Sequence, residues 1–226
     1  MLPTGTQPLG ARKPIALDSD HGRTQDGPSD LLNVHALLPH SRANGPGVRA
    51  VIWLQGCLRQ CPGCFNPDLL PVEPRQLLTP RQLWEWTESV TDIEGVTLSG
   101  GEPMLQAEAL VEYLGLLRAS SPLSVLLYTG YYLEEIPSQP FGSEVLALVD
   151  VLVDGPYDQS QPAHDGLRGS ANQRLHLLTG RYALADLQTC PRFEVVLPPD
   201  GSVVRTGVSI MPAPPRHAAS LPRSPG

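Results

Sequence analysis

The chain reads as an α/β domain: a small, incomplete (βα) barrel with mainly parallel strands and a C-terminal hairpin. Three observations predict this. Short apolar runs alternate with helical patterns, as in βα units. Polar, Gly-containing segments recur immediately after the strands, where parallel α/β folds place their ligands. Near the end, Phe193–Leu197 (FEVVL), Pro198-Pro199-Asp200-Gly201 and Ser202–Val208 (SVVRTGV) read as strand, turn and strand.

The strands are Arg49–Gln55 (RAVIWLQ), Val96–Ser99 (VTLS), Ser124–Tyr128 (SVLLY) and Val151–Val153. Between them, Thr79-Pro80-Arg81-Gln82 supplies an N-cap, a proline at the first helical position and a capping-box glutamine ahead of Leu83 and Trp86. Leu110, Val111, Leu114 and Leu117 make one apolar stripe at helical spacing, and Val145, Leu146 and Val149 do the same before the fourth strand.

Length and composition bound the rest. The 226 residues suit one domain with extensions, and 41% hydrophobic residues suffice for a core. The net charge of -7 argues against a nucleic-acid partner. With 21 Gly and 25 Pro the chain is rich in turns. Residues 1–30 lack a sustained apolar period and read as a flexible tail; residues 211–226 hold five prolines in sixteen positions and read as a disordered one. The catalytic domain is expected over 31–210. There is no run of 18 apolar residues and no signal-peptide pattern, so the expected location is the cytoplasm, without a membrane partner.

Cys57, Cys61 and Cys64 lie within eight residues and Cys190 stands alone, which is not a disulfide framework. The CxxxCxxC segment directly follows an apolar strand, and Pro62 and Gly63 force a tight loop that turns its thiolates towards one centre. Structural zinc wants four ligands, and only Cys190 and scattered histidines are left to complete the set. An iron–sulfur cube can rest on three cysteines with one iron open, so three close thiolates favour a cluster over zinc. Ser99-Gly100-Gly101-Glu102-Pro103 follows the second strand. Its paired glycines allow close backbone approach and Glu102 adds a carboxylate, although GGEP alone is also compatible with a plain turn. Thr129-Gly130-Tyr131 follows the third strand and Asp154-Gly155-Pro156 the fourth, so four strand-end segments point to one site.

From Leu32 to Leu178 the chain resembles the radical S-adenosylmethionine (SAM) enzymes, and within them the activating proteins of anaerobic ribonucleoside-triphosphate reductase. The segments that carry the resemblance are Gly45-Pro46-Gly47-Val48-Arg49, the cysteine loop continuing as Cys64-Phe65-Asn66-Pro67, EGVTLSGGEP, YTGY, VDVLVDGPY and Gly169-Ser170-Ala171-Asn172-Gln173-Arg174. The cysteine spacing with GGEP marks the superfamily; CFNP, VDGPY and GSANQR mark the activase subgroup, as does Gly63 where other members place an aromatic.

The resemblance implies a radical SAM oxidoreductase. Cys57, Cys61 and Cys64 would bind three irons of a [4Fe-4S] cluster whose fourth iron chelates SAM. Reductive cleavage of SAM would then yield a 5′-deoxyadenosyl radical. Backbone groups at Gly100 and Gly101 would hold the SAM amino group with Ser99 and Glu102 in support. Thr129 and Asp154 are expected at the ribose or methionine end, and Asn66 is expected to shape the cluster loop. The implied partners are a glycyl-radical enzyme such as anaerobic ribonucleotide reductase and a low-potential donor such as a flavodoxin or ferredoxin. Alternatives are a small-molecule radical SAM reaction like 7-carboxy-7-deazaguanine synthesis, a peptide maturase, and a non-catalytic iron–sulfur or zinc interaction protein.

Two features stay open. In RLHLL, a parallel strand would put Asn172 and Gln173 on the face away from the ligand, so either the preceding loop folds across the mouth or the strand is reversed. His176 alternates with leucines and reads as structural.

Overall fold

A computed structural model describes residues 30–163, 166–197 and 203–208. The expected tails at 1–30 and 211–226 lie outside these residues except for Asp30, as does the expected hairpin turn Pro198–Gly201.

The chain runs β1 (Leu32–Ser41), β2 (Arg49–Leu54), β3 (Gln76–Leu78), α1 (Pro80–Ser89), β4 (Gly95–Gly100), α2 (Ala107–Ser120), β5 (Ser124–Tyr128), α3 (Gly142–Leu148), β6 (Val151–Asp154), β7 (Arg174–Leu177), α4 (Leu184–Gln188), β8 (Phe193–Val196) and β9 (Val204–Gly207). The first seven strands form one open sheet in the order β3-β1-β2-β4-β5-β6-β7. Its centre, β2-β4-β5-β6, is parallel, while β3, β1 and β7 pair antiparallel at the two sides. The hairpin is present as antiparallel β8–β9, with Val196 opposite Val204.

The four parallel strands are those the apolar runs predict, for a physical reason: both of their faces are covered. Ile52, Leu54, Val96, Leu98, Val125, Leu127 and Leu152 pack on the helical side, whereas Leu126, Val151 and Val153 pack on the opposite face with Leu167, Leu187 and Cys190. On the helical side Leu110, Leu114 and Leu117 of α2 are fully buried, each contributing about 1.5–3 kcal/mol by leaving water. The α1 start carries the predicted capping box: Gln82 N–H donates to Thr79 Oγ1 (3.1 Å), and Thr79 N–H donates to Gln82 Oε1 (2.9 Å).

The Gly45–Arg49 segment is explained by Arg49, whose side chain is wholly buried. Its guanidinium donates to Thr97 Oγ1 (2.8 Å), Ser124 Oγ (2.8 Å) and the Val96 carbonyl (2.7 Å), fastening β2 to β4 and β5. Gly45 adopts φ +139°, and a Cβ there would lie 2.6 Å from Arg49 Cδ. Burial pulls the Arg49 pKa down, against the raising influence of Tyr182 and Asp150.

The ambiguity over RLHLL resolves as a reversed strand: β7 runs antiparallel to β6, with Asp154 opposite Arg174 and Leu152 opposite His176. Asn172 and Gln173 therefore stand at the same end of the sheet as the β6 terminus. No helix among the described residues is long and apolar enough to cross a membrane.

Candidate active site at the strand C-termini

The cysteine loop leaves β2 through Gly56, at φ +100°. The Gly56 and Cys57 amides donate to the carbonyls of Leu69 (2.8 Å) and Leu70 (3.0 Å), so both ends of the loop are fastened together. Pro62 and Gly63 form the predicted turn: Cys64 N–H donates to Cys61 O (3.1 Å), with Gly63 at φ +72°. Asn66 N–H points to Cys64 Sγ at 3.4 Å, consistent with Asn66 shaping the loop. All three cysteines are half-buried free thiols bordering one cavity. Burial pushes the Cys64 thiol pKa up, opposed by that Asn66 amide.

Ser99, Gly100, Gly101, Glu102 and Thr129 line the same cavity. The two glycines permit a close approach of two backbone segments within the protein. A Cβ on Gly101 would lie 2.1 Å from the Gly56 carbonyl oxygen, and one on Gly100, at φ +111°, would lie 2.4 Å from the Leu54 nitrogen. They let the GGE turn seat against the root of the cysteine loop, where Gly101 N–H donates to Leu54 O (2.7 Å) and Glu102 N–H to Gly56 O (2.8 Å). These amides are already used. An ammonium needs acceptors, and the carbonyl oxygens of the turn have that polarity.

Glu102 is buried, and both its oxygens accept: Oε1 from Met104 N–H (3.0 Å) and the Thr129 hydroxyl (2.7 Å), Oε2 from Gly130 N–H (2.8 Å). Burial drives its pKa upward while these donors and Arg59 resist. Glu102 and Thr129 thus brace the turns after β4 and β5 against each other.

Asp154 is not brought to the cavity. Its fully buried carboxylate accepts from Leu133 N–H (2.7 Å) and Arg174 Nε (3.0 Å), with His176 Nε2 at 3.0 Å. The reversed β7 delivers Arg174 and His176 to this carboxylate, the one expected at the ribose or methionine end. This places His176 in a structural pair, as read from the sequence. Cys190 is equally remote. It packs beside Leu126 and Leu187, its Sγ 3.5 Å from the Asp186 carbonyl, and borders a different cavity with Tyr182 and Gly45.

Several cavity residues escaped the sequence reading. The Arg59 guanidinium lies 4.5 Å over the Tyr131 ring, and a Cβ on Gly130 would lie 2.5 Å from Arg59 Cδ. Phe65 stacks on Tyr157 with ring centroids 4.3 Å apart. Gln173, prominent in GSANQR, accepts from Gly169 N–H (2.8 Å) and donates to the Gly155 carbonyl (3.1 Å), which closes the loop beside the cavity. The cavity, of about 210 Å³, shares Arg59, Cys61 and Tyr157 with a neighbouring cleft of about 1030 Å³.

No trio of His, Cys, Asp or Glu among the described residues converges tightly enough for a single metal ion. Three thiols bordering one cavity are the donor set of a cube, which would take each thiolate on a separate iron.

The model of a 4Fe-4S single cluster domain matches residues 43–176. The anaerobic ribonucleoside-triphosphate reductase-activating protein of Enterobacteria phage T4 is 34% identical over 149 residues, covering 64% of this chain and 93% of the relative. The protein of the same name from Vibrio cholerae is 34% identical over 157 residues (66% and 99%), and that of Escherichia coli K12 is 31% identical over 155 residues (65% and 99%). The crystal structure of QueE from Escherichia coli, at TM-score 0.34 and 17% identity over 44% of this chain and 51% of that one, is too distant to bear on the fold. By its family model and by relatives matched over nearly their whole length, the chain belongs to the anaerobic ribonucleoside-triphosphate reductase-activating proteins, radical SAM enzymes with a [4Fe-4S] cluster.

Proposed function

We propose that this chain installs a glycyl radical on a separate anaerobic ribonucleotide reductase, with Cys57, Cys61 and Cys64 holding the cluster and the Ser99–Glu102 turn holding the amino end of SAM. One observation carries the reading: the three thiols and the GGE turn border a single cavity at the C-terminal ends of β2 and β4. When bound, the cluster and SAM supply an electron and a 5′-deoxyadenosyl radical, the species that abstracts hydrogen.

The chain's own residues orient and shield. The tie between Gly101 and Leu54 fixes the GGE turn relative to the cysteine loop, so cofactor groups bound to each keep one geometry. The Glu102 brace holds the β5 end against the same turn. The Phe65–Tyr157 pair puts aromatic surface on the cavity wall, which limits water where a carbon radical must survive, and the Arg59–Tyr131 pair borders the neighbouring cleft. The open cleft beside it gives a glycine-bearing segment of the partner room to enter. We read the open seven-stranded sheet as the incomplete barrel of this enzyme class, the domain as residues 31–210, and the electron source as a flavodoxin or ferredoxin.

The test is electron paramagnetic resonance on the anaerobically reconstituted protein mixed with SAM, a low-potential reductant and the reductase. A glycyl-radical doublet on the partner is the expected result. SAM cleavage without any protein radical would leave the cofactor chemistry standing and reject the reductase as substrate.

A further inference from the structure

One wall of the cavity comes from outside the matched family segment. The 4Fe-4S domain match ends at residue 176, whereas Arg205, Thr206, Gly207 and Val208, at the end of the C-terminal hairpin, line the cavity together with Cys57 and Gly101. The hairpin is anchored from beneath by buried contacts. Asn44 Nδ2 donates to Thr206 Oγ1 at 2.7 Å, and both side chains are buried. Asn44 in turn accepts the Thr97 hydroxyl on its carbonyl (2.6 Å), which links β9 to β4. The Glu194 carboxylate accepts from Arg42 N–H (3.1 Å), and Arg192 Nη2 donates to the Ala163 carbonyl (2.8 Å). A hairpin held by a buried side-chain hydrogen bond and by further bonds at its first strand keeps one position rather than many.

Charge gives the wall a chemical direction. Among the described side chains lining the cavity, Arg59, Glu102 and Arg205 are charged. Glu102 is committed to Thr129, Gly130 and Met104, and Arg59 lies over Tyr131. The Arg205 guanidinium makes no hydrogen bond or ion pair with a described residue. Arg205 stands exposed at the cavity border, and a guanidinium within reach of a ligand matches a carboxylate through paired N–H donors; SAM has one carboxylate. We propose that the C-terminal hairpin is the closing wall of the SAM cavity, latched by Asn44–Thr206, and that Arg205 binds the SAM carboxylate. This rests on the reading that SAM occupies the cavity of the GGE turn.

The experiment uses the reconstituted full chain and reads SAM affinity by titration calorimetry. Arg205→Ala is expected to weaken SAM about ten- to hundredfold, the worth of a charge-assisted hydrogen bond, with partial rescue in Arg205→Lys. Thr206→Val, which keeps the Arg205 side chain but cuts the latch that positions it, is expected to weaken SAM as well. In each variant the iron content and the SAM-free cluster spectrum should match wild type. Decarboxylated SAM should bind Arg205→Ala and wild type equally, and SAM should slow hydrogen exchange at the 204–208 amides. Wild-type SAM affinity in Arg205→Ala would overturn the proposal, as would an equal loss for the decarboxylated analogue, or a defect confined to partner binding. A wild-type protein that takes up its cluster but binds no SAM would overturn the functional reading along with it.

Discussion

The Thr129 hydroxyl donates to Glu102 Oε1 at 2.7 Å, joining the turn after β4 to the turn after β5 through two buried side chains. Tyr131 N–H then donates to the same hydroxyl (3.2 Å), so Thr129 sits in the middle of a chain of donors. Removing the hydroxyl leaves part of a buried carboxylate uncompensated, at a cost of about 1–3 kcal/mol. Thr129→Val should therefore lower the urea midpoint and weaken SAM binding, whereas Thr129→Ser should retain both. Equal stability of Thr129→Val and wild type would show that the brace is slack.

The glycines of the turn should separate by what a methyl group would strike. Gly101→Ala drives a Cβ into the Gly56 carbonyl, and Gly100→Ala adds a positive φ to a clash with Leu54 backbone. Both should displace the cysteine loop and lower iron uptake on reconstitution. Gly115 in α2 is the control: a Cβ there meets nothing within 4 Å. Gly115→Ala should stabilise by about 0.5–1 kcal/mol through helix propensity, with iron content unchanged. Normal iron loading in Gly101→Ala would refute the tie between turn and loop.

The parts of this arrangement differ in how far the sequence discloses them. Strands β2, β4, β5 and β6 are legible because burial on both faces leaves continuous apolar runs. Strand β1 is not: LNVHALLPHS mixes buried and half-exposed positions, contains Pro39, and pairs with register shifts. The three cysteines and GGE are legible through spacing, since each set is a short contiguous segment that lines the cavity as a unit. Asp154 is ambiguous in sequence because a carboxylate at a strand end suits both a ligand contact and an ion pair. The ion pair itself becomes visible only with the direction of β7, which brings in Arg174. Arg205 and Thr206 lie far from the motifs along the chain, and only the return of the hairpin across the sheet brings them to the cavity.

Acid stability should depend on Asp150. Burial opposes its charge, but Arg118, the Val125 amide and Thr179 hydrogen-bond to the carboxylate and hold its pKa below the ordinary value. For a carboxylate depressed on folding, the stabilisation is complete above its unfolded pKa of about 3.9 and is lost as pH falls through the lower folded value. Asp150→Asn should cost about 1–3 kcal/mol at neutral pH. The difference from wild type should shrink progressively below about pH 4 in circular-dichroism unfolding of the apoprotein. A pH-independent difference would mean that shape at this position matters and charge does not.

The thiol left out of the cavity gives the sharpest division between structure and chemistry. Cys190 is 7% exposed, packs against Leu126, Val151 and Leu187, and borders a cavity other than the one lined by Cys57, Cys61 and Cys64. Its burial raises its pKa and keeps it a thiol, opposed by the charge of Arg49. Cys190→Ala should therefore reconstitute to about four irons per chain, the count of one cube. It should lose about 1 kcal/mol of stability through the small void left in the core. Cys57→Ala, Cys61→Ala and Cys64→Ala should show the reverse pattern, with little change in apoprotein unfolding, because these side chains are half-exposed, and with loss of SAM cleavage. Iron analysis beside thermal melts of the four variants distinguishes the two classes. Loss of the cluster in Cys190→Ala with the fold intact would require a fourth protein ligand and would sink the three-thiolate assignment, because an open iron is what leaves room for SAM to coordinate.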